Sequence, residues 1–240
     1  MWTGLFNEVL VWTFDLDAID LTAVAPVLSS DERDRAARFR FEIHRDRYIA
    51  ARGALRTVLG ELAGAPPESI EFVYGEHGKP TLKSGDFQFN VSHSDHRAVI
   101  GVTRAAPVGV DVERINPDRA NPDIARRFFA EQEIANLERL HAEEYTNAFF
   151  QCWARKEAVL KAVGTGISGG LSSFAVPIGE MPHCVHLTSP DSWIGNLAEA
   201  FPYLAAEGFS SALCLLQHRP LIRPVCDTVP RIPVRRTFKC

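Results

Sequence analysis

Long apolar runs are missing from this 240-residue sequence. No window holds 18 consecutive apolar residues, which excludes an ordinary transmembrane helix. The first ten residues, MWTGLFNEVL, contain no lysine or arginine, whereas a secretory signal begins with a basic region. We therefore expect a cytoplasmic protein without a membrane partner.

Cysteine is also sparse, with five residues at positions 152, 184, 214, 226 and 240. Their number is odd, their spacing is wide, and none forms a C-x-x-C pair. These features argue against a disulfide framework and against a zinc site. With 46% hydrophobic residues, the chain can still bury one large core or two smaller cores packed together.

Basic residues do not dominate the composition, since the formal net charge is −4. This balance disfavours nucleic acid as a partner. Eight arginines are nevertheless concentrated between residues 33 and 56. They are interpreted either as a solvated helix face or as a site for a multiply phosphorylated ligand, because guanidinium groups bind phosphate through paired hydrogen bonds.

The order of predicted elements is mixed α+β. A capping box of Ser29 and Glu32 starts a long helix, or two helices, running to about residue 64. Other helices are predicted near 121–140 and 144–163, and strands at 7–16, 86–94, 96–103, 108–115, 172–178, 183–188 and 210–217. A strand, a long helix and further strands occur on both sides of residue 107, which suggests two half-size α+β units. We expect an N-terminal lobe at 1–107, a C-terminal lobe at 108–218 and an extended Pro/Arg-rich tail at 219–240, either disordered or docked.

The segment VGVDVER, residues 108–114, alternates valine with glycine or an acidic residue. Period-two alternation predicts a strand with one buried face, so Asp111 and Glu113 project from the same face. Two adjacent carboxylates repel each other unless a positive charge lies between them. The pattern therefore predicts a cation at this strand.

A third acidic residue of interest, Glu157, lies on the helix predicted near 144–163. Glu157 and Lys161 are four residues apart on the flank of its apolar stripe, and Gly164 is placed to cap its end. An isolated surface ion pair is one interpretation. The other joins Glu157 to Asp111 and Glu113 as oxygen ligands of a hard cation such as Mg²⁺, with Mn²⁺ as an alternative.

Two further motifs precede the acidic strand. The turn GEHGKPTL fixes the backbone around Lys79 with glycine and proline, a shape suited to a flat or charged ligand. The stretch FNVSHS ends a strand with Ser92 and His93. Because neighbouring strand residues point to opposite faces, this pair is not a nucleophile with its base, and His93 alone is equally interpreted as a structural hydrogen-bonding residue.

The ordered motifs GKP, FNVSHS, VGVDVER and WARKEAVLKAVGTGI resemble the 4′-phosphopantetheinyl transferases of the surfactin-synthetase-activating type. The resemblance implies two similar α+β lobes related by a pseudo-twofold axis, with the active site in the cleft between them. It implies transfer of the 4′-phosphopantetheine arm of coenzyme A to a serine of an apo acyl or peptidyl carrier protein, releasing 3′,5′-ADP. The length resembles the two-lobed monomeric type.

Carried over by position, the resemblance implies a role for ten residues and a weaker assignment for two more. The metal ligands are Asp111, Glu113 and Glu157. Glu157, directly or through a metal-bound water, is the candidate base, and Lys161 would contact the pyrophosphate and stabilise the leaving group. The remaining coenzyme A contacts are Arg47, Arg52, Lys79, Pro80, Ser92 and His93, with Arg33 and Arg35 as weaker candidates.

One residue departs from the family pattern. Where SHSG is usual, this chain has SHSD, and Asp95 would oppose coenzyme A binding unless it points away or pairs with an arginine. The apolar residues around 126–134 are interpreted either as a carrier-docking surface or as core.

Two other functions remain open at this stage. A metal-dependent phosphatase or nuclease would use similar carboxylates and arginines without a carrier, and a coenzyme A-binding module would not need Glu157 and Lys161. The carrier's pathway, whether fatty acid, polyketide or nonribosomal peptide synthesis, does not follow from the sequence.

Overall fold

The computed structural model describes residues 8–166, 170–179, 185–186, 197–202, 206–217 and 223–226, which form a mixed α and β fold. The helices in these residues are α1 Leu21–Val24, α2 Ser30–Ala37, α3 Glu42–Ala63, α4 Pro122–Phe128, α5 Glu131–Leu137 and α6 Ala142–Val163. The strands are β1 Glu8–Asp15, β2 Phe72–Tyr74, β3 Pro80–Leu82, β4 Gln88–Ser94, β5 Arg97–Thr103, β6 Val108–Arg114, β7 Val185–His186, β8 Leu197–Pro202, β9 Phe209–Gln217 and β10 Arg223–Cys226. None of the helices described is long and apolar enough to cross a membrane.

Two four-stranded sheets form the centre of the fold. The first has the order β10-β1-β5-β4, in which β10 is parallel to β1 and the other pairs are antiparallel. The second has the order β6-β9-β8-β7 and is antiparallel throughout. Strands β2 and β3 form a separate hairpin. Strands β4 and β6 are therefore edge strands of different sheets.

The side-chain alternation of β1 explains how the layers stack. Leu10 and Trp12 pack with α3 in one core cluster, whereas Val9 and Val11 pack with Val108, Val110 and Val112 of β6 in another. The opposite face of the second sheet packs on α6. The layers are thus α3, first sheet, second sheet and α6, and both faces of each sheet are apolar because both are covered.

Helix ends follow the sequence signals. The Glu32 carboxylate accepts a hydrogen bond from the Ser29 N–H at 3.0 Å, which is half of the predicted capping box. The predicted long helix is two helices, α2 and α3, interrupted at residues 38–41. Helices α3 and α6 end at Gly64 and Gly164, whose φ angles of 66° and 84° lie in the left-handed region.

The strand predicted at 172–178 is wrong. A short 3-10 turn at Leu171–Ser173 is followed by chain that joins no sheet. This chain is bound instead to a buried ion pair between Lys156 and Glu133, whose charged atoms are 2.7 Å apart. The Lys156 ammonium donates to Phe174 O at 2.5 Å, and Glu133 accepts from the Val176 N–H at 2.7 Å, so side chains satisfy backbone groups that a sheet would otherwise pair.

Part of the predicted tail is strand β10, and residues 227–240 lie outside the described residues. Cys152 and Cys214 are buried thiols. The side chains of the other three cysteines also lie outside the described part of the chain.

Candidate active site

Polar side chains of β4 join the two sheets at their edges. Asn90, Ser92 and Ser94 recur at every second residue, so they share the face toward the second sheet. Their oxygens accept hydrogen bonds from N–H groups of edge strand β6: Val110 to Asn90 (2.9 Å), Val112 to Ser92 (3.4 Å) and Arg114 to Ser94 (3.1 Å). Between β4 and β6, side-chain hydrogen bonds therefore take the place of backbone pairing. The role of the FNVSHS motif in this structure is to provide these side chains.

Two of these hydroxyls also bind the paired acids of β6. Ser92 Oγ donates to Asp111 Oδ1 at 2.9 Å, and Ser94 Oγ donates to Glu113 Oε2 at 3.0 Å. Each serine thus accepts from one backbone N–H of β6 and donates to the carboxylate of the preceding residue. The orientation of both carboxylates is set by β4.

The positive charge beside these acids belongs to Lys161. Its ammonium donates to Asp111 Oδ1 at 2.5 Å and to Ser92 Oγ at 2.7 Å. Helix α6 comes this close because Gly109 has no side chain: a Cβ there would lie 2.0 Å from Ala158 O and 2.4 Å from Ala162 N. The surface-pair interpretation of Glu157 and Lys161 is wrong for Lys161, whose partner is a residue 50 positions away that is only 2% exposed.

The other oxygen of Asp111, Oδ2, is buried and has no hydrogen-bond partner in the described residues. A buried carboxylate oxygen left unpaired is costly, and a hard cation would satisfy it. Within the described residues, no three acidic, histidine or cysteine side chains are already arranged to hold a metal ion. The donor chemistry fits Mg²⁺, but the ligand set is not preassembled.

The three acids interact electrostatically. The pKa of Glu113 is raised to about 7, mainly by burial and then by the neighbouring Asp111 charge, while the Ser94 hydrogen bond and the Lys161 charge oppose the rise. Burial and then Asp111 also raise the pKa of Glu157, against the effect of Lys161. Burial is the larger cause of both shifts, and the nearby Asp111 carboxylate adds to each of them.

Next to these acids lies a pocket of about 760 Å³. Arg47, Tyr48 and His93 line one part of it, and Arg114 and Arg119 line another. The His93 side chain is exposed, but the protein around its ring lowers its pKa, as do the charges of Lys161, Arg35 and Arg47 to smaller extents. A pocket lined by three arginines and two histidines is suited to a phosphorylated ligand.

Comparison with known proteins decides the family. Residues 107–187 match the 4′-phosphopantetheinyl transferase superfamily, and residues 15–104 match the N-terminal region of 4′-phosphopantetheinyl transferases. The chain belongs to the 4′-phosphopantetheinyl transferase family. It is therefore an enzyme of the transferase class, as the motifs predict.

Three curated relatives cover most of the chain. HetI of Nostoc sp. is 40% identical over 173 residues, 69% of this chain and 73% of HetI. The slr0495 protein of Synechocystis sp. is 37% identical over 203 residues, 82% of this chain and 81% of that protein. Sfp of Bacillus subtilis is 31% identical over 188 residues, 78% of this chain and 81% of Sfp.

Within this phosphopantetheinyl transferase, the ammonium of Lys79 lies on backbone carbonyls rather than in the pocket. It donates to Lys161 O at 2.5 Å and to Ala162 O and Val108 O, both at 3.1 Å. Burial lowers its pKa to about 8. Lys79 therefore caps the C-terminal end of α6 and ties the β2–β3 hairpin to it, and Pro80 begins strand β3 as a half-buried residue.

Arg52 is placed differently from the prediction. Its guanidinium is buried and paired with Glu32 at 2.5 Å, and Arg56 binds the other oxygen of Glu32 at 2.6 Å. Arg52 also lies over the Phe72 ring, 4.7 Å from its centroid. A guanidinium committed to a buried carboxylate is poorly placed for a phosphate.

Asp95 pairs with arginines, which is one of the two arrangements expected to relieve its charge. Its carboxylate binds Arg47 and Arg114, and the pKa of Asp95 is lowered because these bonds outweigh the effect of burial. Its φ angle of 53° is left-handed, which explains why glycine suits this position of SHSG. Arg47 also binds Asp17 through two bonds of 2.8 Å, so it already has two acidic partners.

The apolar side chains of the candidate docking segment at 126–134 pack in or against the core, whereas Arg126 and Arg127 are exposed. Phe129 is 2% exposed, and Phe128 packs edge-on against Trp153 with ring centroids 5.7 Å apart. The sequence interpretation missed Tyr48, Arg114 and Arg119 of the pocket. Arg114 is the last residue of the acidic strand β6, so its position beside Glu113 was the available signal.

Proposed function

We propose that this transferase moves the 4′-phosphopantetheine arm of coenzyme A to a serine of an apo acyl or peptidyl carrier protein, releasing 3′,5′-ADP, with Mg²⁺ or Mn²⁺ as the cofactor. The observation that supports it is the cluster of Asp111, Ser92 and Lys161, in which one buried carboxylate oxygen has no partner. Membership of the family supports the reaction class.

Asp111, Glu113 and Glu157 would hold the metal, which supplies charge neutralisation at the diphosphate of coenzyme A when bound. The raised pKa values of Glu113 and Glu157 support this role, because buried acids beside another carboxylate favour a cation. The hydroxyls of Ser92 and Ser94 orient two of the three carboxylates before the cation arrives.

Lys161 would stabilise the leaving 3′,5′-ADP. Its ammonium is held beside Asp111 but is 29% exposed, so it can also face a ligand from the solvent side. Phosphoryl transfer depends mainly on positioning and on neutralising charge at the transferring and leaving oxygens, and a fixed ammonium contributes to both.

Glu157 would accept the proton of the carrier serine, directly or through a metal-bound water. A base works best when its pKa is near the working pH, and the raised pKa of Glu157 moves it in that direction. The nucleophile belongs to the partner, so the chain itself needs no triad.

The pocket beside the acids would hold the nucleotide. Arg47 and His93 line it and would bind the 3′-phosphate. The ion pair between Arg47 and Asp95 would break when Arg47 binds the ligand. Arg35 joins them as a candidate because its charge acts on His93. Lys79 and Pro80 would border the adenine from the hairpin side, while Lys79 keeps its carbonyl contacts.

The pseudo-twofold arrangement of two lobes, 1–107 and 108–218, belongs to the same proposal. Each lobe would pair one four-stranded sheet with one 22-residue helix, α3 or α6. Strand β10 returns to the first sheet, so the tail at 219–240 would dock along the N-terminal lobe in this region. A monomer is the expected state.

The direct test is incubation of the protein with coenzyme A, Mg²⁺ and an apo carrier protein, followed by mass spectrometry of the carrier. A mass gain of one phosphopantetheine is expected. Phosphate release from coenzyme A without carrier modification would assign a hydrolase instead. Binding of coenzyme A with neither product would assign a binding module.

A further inference from the structure

Three large apolar side chains are exposed in one short stretch, which we call the apolar rim. Phe39, Phe41 and Ile43 are 38%, 56% and 47% exposed, and they occupy alternate positions in the turn between α2 and α3 and at the start of α3. Among the other described residues, only Val73 and Tyr74 are exposed large hydrophobics. A concentrated apolar surface of this kind typically marks an interaction site.

The apolar rim lies at the edge of the 760 Å³ pocket. Phe39 lines that pocket together with Tyr48, and their ring centroids are 5.3 Å apart. A macromolecule that delivers a serine side chain to the acids beside this pocket would approach along the edge of the pocket. The apolar rim is therefore where contact with such a partner would bury the most apolar surface.

The rim is also positively charged. Arg40 lies over the Phe41 ring at 5.3 Å, and Arg35 lies over Tyr48 at 5.4 Å. The positive charge of Arg45 is neutralised by its ion pairs with Glu42 and Asp46. In the part of the chain that the structure describes, Arg38 and Arg40 have no acidic side chain within ion-pair distance, so their charges remain available to a partner.

We propose that the apolar rim is the docking surface for the carrier protein, which would present apolar side chains framed by acidic residues near its acceptor serine. This inference rests on the proposed function and adds the surface that recognises the partner. A second copy of this chain fits less well, because a symmetric contact would bring the same arginines together. The rim replaces the segment at 126–134, whose phenylalanines are packed in the core.

The test compares Phe41→Ser/Ile43→Ser with Val73→Ser, a similarly exposed residue that lies outside the apolar rim. We expect the double variant to raise the KM for the carrier about tenfold or more, with the KM for coenzyme A and kcat at saturating carrier unchanged. Val73→Ser should leave all three constants near wild type. Arg40→Glu should also weaken carrier binding, and the loss of affinity should be larger at low salt than at high salt.

Direct titration separates this inference from the proposed function. A carrier whose acceptor serine is replaced by alanine docks without transfer, so its Kd for wild type and for the double variant measures docking alone. A tenfold weaker Kd for the double variant supports the docking surface, even if transfer failed in the wild type. An unchanged Kd would overturn it, as would a dimer that the double substitution dissolves while carrier affinity stays the same.

Discussion

Lys161 and Asp111 form an ion pair of 2.5 Å across 50 positions of sequence, with Ser92 bonded to both. Asp111 is only 2% exposed, so the ammonium of Lys161 is its charged partner in the metal-free protein. The same lysine is proposed to serve the leaving group. Pairing with Asp111 affects the stability of the fold, and stabilising the leaving group affects kcat, so the two roles of Lys161 can be measured separately.

Lys161→Met should lower kcat by about a hundredfold or more while changing the KM for coenzyme A less, because the interaction strengthens in the transition state. In the absence of Mg²⁺ it should also reduce the free energy of unfolding by roughly 1–3 kcal/mol, since the buried Asp111 carboxylate loses its charged partner. Urea unfolding and steady-state kinetics measure the two effects. Near-wild-type kcat would remove Lys161 from the mechanism, whatever its effect on stability.

Glu157→Gln keeps the shape of the side chain and removes its charge. We expect a higher Mg²⁺ concentration for half-maximal activity and a kcat reduced by about 10²–10⁴ that saturating Mg²⁺ does not restore, because the base is lost as well as a ligand. Titration of activity with Mg²⁺ measures both values. Full rescue by metal would leave Glu157 as a ligand only.

Glu113 predicts a pH dependence of stability. The pKa of Glu113 is raised to about 7 in the folded protein from an ordinary value of 4.5. The protonated carboxyl therefore stabilises the folded state fully below pH 4.5, and this stabilisation is lost as the pH rises through 7. The metal-free wild type should lose up to about 3 kcal/mol over this range relative to Glu113→Gln, and saturating Mg²⁺ should abolish the difference. Urea unfolding of both proteins from pH 4.5 to 8 provides the comparison. Parallel curves without metal would contradict the raised pKa of Glu113 in the folded protein.

His93 is expected to recognise the 3′-phosphate. The lowered pKa leaves its imidazole neutral near pH 7, so coenzyme A should bind more tightly as the pH falls and the ring is protonated. Dephospho-coenzyme A should bind about tenfold more weakly than coenzyme A, and His93→Ala should shrink that preference. Calorimetry at pH 6 and pH 8 tests this. Equal affinities for the two ligands would exclude a 3′-phosphate site here.

Gly109→Ala tests the close approach of α6 to β6. A Cβ at this position meets backbone atoms of Ala158 and Ala162, which cannot move without shifting the helix. We expect a loss of about 3 kcal/mol or more, or failure to fold. Gly75→Ala is the matched control because its nearest neighbour, Lys79 O, would lie at 3.7 Å, an ordinary contact. Equal thermal stability of the two variants would contradict the geometry.

The short-range patterns of the sequence predicted the local parts of the site. Alternation in β6 predicted a buried valine face and two acids on the other face, and the valines do pack between the sheets. Helical spacing correctly put Glu157 and Lys161 on one flank of α6. These features depend on residues a few positions apart, where periodicity is informative.

Long-range partners were not predictable in the same way. No local pattern indicates that Lys79 caps a helix more than 80 positions away, that Arg52 pairs with buried Glu32, or that β10 joins the first sheet. The ion pair of Lys156 and Glu133 likewise replaced the strand expected at 172–178. Each depends on which elements meet after folding, and this is fixed by the whole core rather than by a window of sequence.

The serines and asparagine of β4 have a consequence for self-association. An edge strand with free N–H groups is a template on which a strand from another molecule can add, and β6 is an edge strand with an apolar face. Asn90, Ser92 and Ser94 occupy three of its N–H groups, so this edge is closed to intermolecular pairing. The side chains that orient the acids of the site thereby also protect the protein against aggregation.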